Sequence, residues 1–155
     1  MIESGAQIAP ARNRALLAIG VGGLIAGTLD LIAAFLTFGV GVPRAIAGGL
    51  LGRDAFHGGT GTYVLGVFLQ LFIAVSAASV FYAASRRLRF MTEHPIVCGM
   101  FFGIAVYLVM NLIVLPLSAL HVTHPIALRD LIQGLIVHMI VIGLPISFSV
   151  RQFAR

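Results

Sequence analysis

Four long stretches with almost no charged residue restrict the fold of this chain more than any other feature. The first holds one charge, Asp30, and the other three hold none; they run from Arg14 to Arg44, Asp54 to Arg86, Glu93 to Arg129 and Asp130 to Arg151. A helix needs about 20 apolar residues to cross the hydrocarbon of a bilayer. The runs are continuous rather than alternating, which excludes a barrel. We predict four membrane-spanning helices, near residues 15–38, 62–85, 96–117 and 128–149.

The composition agrees with a chain whose solvent is partly lipid. Apolar residues make up 59% and charged residues 10% of the 155 residues, against about 45–50% and 25% in soluble proteins. These values exclude a disordered chain, and the length fits a single transmembrane domain, residues 1–155. Cys98 is the single cysteine, which excludes a disulfide framework and a four-cysteine zinc site.

The arginines predict the orientation in the membrane. Ten arginines and no lysine give a net charge of +5. Cytoplasmic loops of membrane proteins collect such residues, so we expect no nucleic-acid partner. With the N-terminus inside, seven arginines are cytoplasmic and three are outside. We therefore expect a multi-pass protein of the bacterial inner membrane with both termini in the cytoplasm. The cluster Arg86, Arg87 and Arg89 has two interpretations, a topology anchor, which we favour, and a site for anionic lipid.

The first outer connection, residues 39–61, is long and rich in glycine. Within it, residues 43–52 begin with Pro43 and end with Gly52, as short helices do. The segment is apolar for a loop. We predict a short helix that lies at the outer interface or in the mouth of the bundle. The first span itself is too long for the apolar part of a signal peptide, so we interpret it as retained.

Each predicted span carries small or polar residues at helical spacing. The stripes are Gly20, Gly23, Gly27, Asp30 and Ala34; Gly66, Gln70, Ala74 and Ala78; Gly99, Gly103, Tyr107 and Asn111; and Asp130, Gln133, Gly134, Val137 and His138. Small residues let helices approach in lipid, and polar residues turn away from the tails. The stripes therefore predict an all-α, four-helix membrane bundle. For the GxxxG pair Gly23 and Gly27, we favour packing within one chain over dimerisation.

The depth of the polar residues suggests a candidate site. At a rise of 1.5 Å per residue, Asp30, Gln70, Asn111 and Gln133 lie about 8–12 Å from the outer ends of their spans. Tyr107 and His138 lie deeper. These six residues are our candidates for binding a ligand or a proton. Pro116 and Pro145 each free a backbone carbonyl, and Pro116 bends the outer end of the third span. The bend is either a hinge or ligand-facing carbonyl, or a kink that accommodates packing, which is the commoner case.

Other chemistry finds less support in the sequence. His57, His121 and His124 are candidates for a metal site beside Asp54 and Asp130, but their loop positions show no metal-binding spacing, so we expect no metal. A bis-histidine haem needs facing ligands, and His138 is the single histidine within a span. Ser118 and His121 are three residues apart and Asp130 follows them, but this spacing alone does not indicate a hydrolase triad. We expect no cofactor and no enzymatic activity.

Three stretches carry a resemblance to a known group. They are Ala26–Asp30; Ala47–Gly52 followed by Ala55–Gly59; and Val109–Asn111 followed by Leu115–Ala119. In these stretches the chain resembles a widespread group of uncharacterised small membrane proteins of proteobacteria. The resemblance implies a four-span inner-membrane protein and supplies no activity, substrate or cofactor. His57 stands where the group often has an acidic residue.

Two functional hypotheses follow. The first is a non-enzymatic accessory or structural bundle that acts through membrane lipids, a protein partner or further copies of itself. The alternative is binding or transport of a small polar solute or a proton in an outer-half cavity around Asp30. An acid within a span is a functional hypothesis by default, but we favour the structural alternative, in which Asp30 is protonated or hydrogen-bonded and ties the helices together. Small four-helix drug exporters also carry an acid in their first span, but they are shorter and lack a counterpart of residues 39–61.

Overall fold

Helices make up nearly all of the fold. The computed structural model describes residues 4–123 and 127–153. The α-helices are α1 (Ser4–Phe38), α2 (Val42–Leu51), α3 (Thr60–Arg87), α4 (Phe90–Glu93), α5 (Pro95–Val109), α6 (Leu115–Leu117), α7 (Leu128–His138) and α8 (Leu144–Phe153). A 3-10 helix, Gly52–His57, follows α2, and π-helical turns, Met110–Val114 and Met139–Gly143, join α5 to α6 and α7 to α8.

Four of the continuous helical stretches are long and apolar enough to cross a membrane. They are Arg12–Phe38, Thr60–Arg87, Pro95–Leu117 and Leu128–Phe153, named here the first to the fourth span. Many of their large apolar side chains point outward; Leu36 is 85% and Phe101 68% exposed. Such a surface is stable in lipid, and the helical backbone satisfies its own polar groups there. The predicted all-α fold with four spans is confirmed, and each predicted boundary lies within four residues of the observed one.

The first span lies between the second and the fourth. A Cβ atom added at Gly23 would come 2.6 Å from the Val75 backbone, and one at Gly27 would come 2.9 Å from Ala74 of the second span. Only glycine permits this approach. The GxxxG pair therefore packs within the chain. On the other side, the Ser149 hydroxyl of the fourth span donates to the Ala18 carbonyl at 2.9 Å.

The third span packs against the fourth, again through small residues. Gly103 faces the backbone of His138 and Met139, and Gly99 faces Ser147. The main buried core lies towards the end of the bundle where the chain begins and finishes, here called the termini end. It is formed by Ala18, Ala26, Ala78, Phe81, Ile142, Ile146 and Val150.

Helix α2 confirms the short helix expected between the first two spans. Pro43 is buried, and its backbone lies directly against Gly66 of α3. The Ala119 N–H of the connection between the third and fourth spans donates to the Gly49 carbonyl at 2.9 Å. Arg44 Nε donates to the Gly58 carbonyl at 2.8 Å. Helix α2 is thus fixed to α3 and to the opposite connection, at the end of the bundle remote from the termini.

The π-helical turns mark both prolines within the spans. The Leu115 N–H donates to the Met110 carbonyl, five residues back, and the Leu144 N–H does the same to Met139. Pro116 and Pro145 come directly afterwards. A proline has no N–H and clashes with the carbonyl four residues earlier. A π turn widens the helix there, so it accommodates the ring without breaking the span.

Candidate functional site

Asp30 and Gln70 form a polar contact between the first and second spans. Gln70 Nε2 donates to Asp30 Oδ2 at 2.6 Å, and both side chains are half-buried. The small-residue stripe explains the contact. Gly27 brings the first span close to Leu71 and Ala74, and the antiparallel second span then places Gln70 beside Asp30, one turn further along.

Tyr107 and His138 form a second contact, between the third and fourth spans. Their ring centroids lie 5.1 Å apart with planes at 73°. Tyr107 is 6% exposed, and Gly134 lies against its ring. His138 Nδ1 is 2.9 Å from the Gly134 carbonyl. Because a carbonyl only accepts, Nδ1 is the donor in this bond.

The two contacts belong to one polar cluster. His138 is close enough to Asp30 to interact with it electrostatically. The cluster therefore consists of Asp30, Gln70, Tyr107 and His138, one residue from each span. A carboxylate facing an imidazole within a bundle suits holding helices together, binding a proton or binding a small cation.

The remaining candidates lie elsewhere. Asn111 Nδ2 donates to the Tyr107 carbonyl of its own span at 2.9 Å, and this bond accompanies the first π turn. Gln133 is exposed, so the expected four-residue polar layer is wrong at this position. The reason is rotational. Successive helix residues are about 100° apart, and α7 turns Gly134 towards the Tyr107 ring, which points Gln133 outward.

The loop histidines form no metal site in the parts of the chain that the structure describes. His57 and His121 are exposed, His121 with a φ of 49°. His124 lies outside the described residues. Across residues 4–123 and 127–153, no group of three or more His, Cys, Asp or Glu side chains is placed to hold a metal ion.

Sequence reasoning missed two features. The π turns begin at Met110 and Met139, directly beside Asn111 and His138, and the prolines six residues after these methionines were the available signal. The second is an apolar groove at the termini end, lined in part by Cys98 and Phe101. Its signal was the apolar spacing of residues 97, 98, 101 and 102.

The fold and the polar cluster define a class, an all-helical bundle with four apolar helices of membrane-spanning length and one polar contact network in its interior. Comparisons with protein-family models, curated proteins and solved structures found no match.

Proposed function

We propose that this protein is a non-enzymatic component of the bacterial inner membrane, an accessory or structural bundle that acts through protein or lipid partners. We also propose that it belongs to the group of small proteobacterial membrane proteins that its sequence resembles. The proposal rests on the pairing of the interior polar groups and on the exposure of the apolar surface.

The observation that carries this proposal is the pairing of the interior polar groups. In the described part of the chain, every buried side-chain nitrogen and oxygen has a hydrogen-bond partner. The Gln70 amide donates to Asp30, and the Asn111 amide donates to a backbone carbonyl of its own helix. Groups paired in this way hold helices together, whereas a site for a polar solute usually presents free donors and acceptors.

The apolar surface supports the same proposal. Only 33% of the most apolar window of the first span, and 17% of that of the third, is buried within the chain. Most of the third span therefore faces lipid or another protein. Such a surface suits contact with lipid tails or with a partner helix in the membrane.

The arginine distribution supports a placement with both termini in the cytoplasm. The termini end carries Arg12, Arg14, Arg86, Arg87, Arg89 and Arg151, and the opposite end carries Arg44, Arg53 and Arg129. Cytoplasmic ends of membrane proteins are richer in positive residues.

Mass spectrometry of the tagged chain, extracted in native lipid discs, tests the proposal. We expect a second protein chain, a further copy or a defined number of lipids in stoichiometric amount. An unrelated four-span protein extracted in the same way reports non-specific lipid. A bare monomer with no lipid above that level would contradict the proposal.

The polar cluster favours a second candidate, movement of a proton or a small cation through Asp30. The supporting observation is the electrostatic interaction between Asp30 and His138. In proteoliposomes with a pH-sensitive dye inside, this function predicts a flux that is lost in Asp30→Asn. The matched control is Asp54→Asn, in the exposed 3-10 helix. A flux lost only in Asp30→Asn would replace the first function with the second.

A further inference from the structure

An apolar groove lies at the termini end of the bundle. It lies between the last turns of α3, the short helix α4 and the first turns of α5, and its volume is about 610 Å³. Leu88 and Phe90 line one end of it, here called its mouth, and Cys98, Phe101 and Phe102 of α5 line the rest. Almost all of its lining surface comes from carbon and sulfur atoms, so it suits a hydrocarbon ligand.

One side of the groove is packed against the core, and the other is exposed. Phe102 packs edge-on against the fully buried Phe81, with ring centroids 5.0 Å apart. Phe90 is 52% and Phe101 68% exposed. The groove therefore has a packed side and a side that a molecule from the surrounding membrane can reach.

Positive charge surrounds the mouth of the groove. Arg86 and Arg87 end α3, Arg89 follows Leu88, and all three side chains are exposed. Glu93 is the one acid in α4 and its flanks, and the imidazole of His94 lines the groove. Three guanidinium groups against one carboxylate leave a net positive mouth. Arginine pairs well with phosphate because its planar guanidinium group donates two parallel hydrogen bonds.

We propose that this groove binds an anionic phospholipid, with an acyl chain against Phe101 and Phe102 and the phosphate on Arg87 and Arg89. Phe102 lies about 10 Å along the third span from Pro95, the first residue of that span. That distance matches the upper part of an acyl chain whose headgroup lies level with the arginines. The site deepens the proposed function, on which it rests, by naming one lipid partner.

A partner helix fits the groove less well than a lipid. An apolar helix lacks a charge for the arginines. A phospholipid supplies hydrocarbon for the apolar lining and a phosphate for the arginines at the mouth.

Titration of the purified full-length chain with dioleoyl-phosphatidylglycerol, followed by native mass spectrometry, measures the affinity. Dioleoyl-phosphatidylcholine has the same chains and no net charge, and serves as the comparison lipid. Each arginine near an anionic surface contributes about fivefold in affinity, so Arg87→Gln with Arg89→Gln should weaken phosphatidylglycerol binding by roughly 25-fold. The control, Arg53→Gln with Arg129→Gln, removes two exposed arginines at the opposite end and should leave binding unchanged.

Cys98 locates the bound lipid. It is the single cysteine of the chain and lines the groove, so its alkylation by N-ethylmaleimide should slow as phosphatidylglycerol binds. Ala84→Leu fills the groove without changing any charge and should abolish this protection. Ala83→Leu makes the same change on the exposed face of α3 next to it and should preserve it.

Several outcomes would overturn the proposal. One is equal binding of the two lipids; another is phosphatidylglycerol binding that leaves Cys98 alkylation unchanged. If a copurified protein slows alkylation of Cys98, and removal of that protein restores the rate, a partner helix occupies the groove instead. If the chain binds the two lipids equally but still copurifies with a protein, the lipid site alone is overturned. If the chain shows neither lipid selectivity nor a copurified protein, the proposed function is overturned as well.

Discussion

The hydrogen bond between Asp30 and Gln70 permits a quantitative test of the polar cluster. A hydrogen bond to a charged group contributes about 1.5–3 kcal/mol in soluble proteins. Bonds between membrane helices average about 0.6 kcal/mol and reach about 1.7, because the unfolded chain also finds partners. The bond here is short, 2.6 Å, and half-buried, and its acceptor is a carboxyl group. We therefore expect a coupling energy of about 1–1.5 kcal/mol, in the upper part of the membrane range.

The perturbation is a double-mutant cycle of Asp30→Leu and Gln70→Leu, with unfolding measured in detergent micelles. Each single variant leaves one polar group unpaired, so we expect each to lose about 1–3 kcal/mol. The double variant should lose less than the sum of the two. Asp30→Asn retains an acceptor for Gln70 and should change the free energy of unfolding by less than about 1 kcal/mol.

Additivity would refute this reasoning. Independent sites add to within about 0.3–0.5 kcal/mol, so a smaller coupling would mean that the bond contributes nothing to stability. An Asp30→Leu variant as stable as the parent, with unchanged partners, would remove Asp30 from the polar network altogether. An Asp30→Asn variant as unstable as Asp30→Leu would show that the charge, rather than the hydrogen bond, holds the helices.

Three further predictions follow. Gly66→Ala should destabilise the protein by about 1–3 kcal/mol because its Cβ would meet the backbone of α2, whereas Gly61→Ala on the same helix, with open space around it, should be neutral or stabilising in thermal unfolding. Alkaline phosphatase should be inactive when fused to the C-terminus and active when inserted at Thr123; the reverse would invert the proposed topology. In a chain without its native cysteine, Ala47→Cys, fully buried on α2, should react slowly with an impermeant thiol reagent and the exposed Arg53→Cys rapidly. Equal rates would indicate that α2 is not seated on the bundle.

The fold was largely predictable because lipid imposes simple requirements. A span must be apolar over its whole length and must satisfy its own backbone, so windows free of charge locate the helices. Helix α2 was predictable for a different reason, since Pro43 begins it and Gly52 follows its end. The extra turns at the ends, such as residues 12–14 and 150–153, were missed because charged residues can continue a helix beyond the hydrocarbon.

The candidate site was predictable only in part. The small-residue stripe placed Asp30 on the inner face, and the approach of the second span at Gly27 brought Gln70 to it. The sequence pattern placed Gln133 on the same side of the helix as Gly134 and His138. However, Gln133 and Gly134 are consecutive residues, so they point about 100° apart around the helix axis. The Tyr107 ring needed space, and Gly134 provides it, so the packing of one aromatic side chain decided the rotation of the fourth span.

The amino-acid sequence by itself determined which segments are long and apolar enough to lie in lipid, where a short helix interrupts them and which residues are too polar to face acyl chains. Those are local properties of transfer from water to hydrocarbon, and they depend on each residue and its near neighbours. Only the tertiary structure decided that the first span lies between the second and the fourth, that α2 seats on Gly66 and that both prolines follow π turns. It also opened the groove beside Cys98. These features depend on which surfaces interlock, and packing energies are sums over residues far apart in the chain.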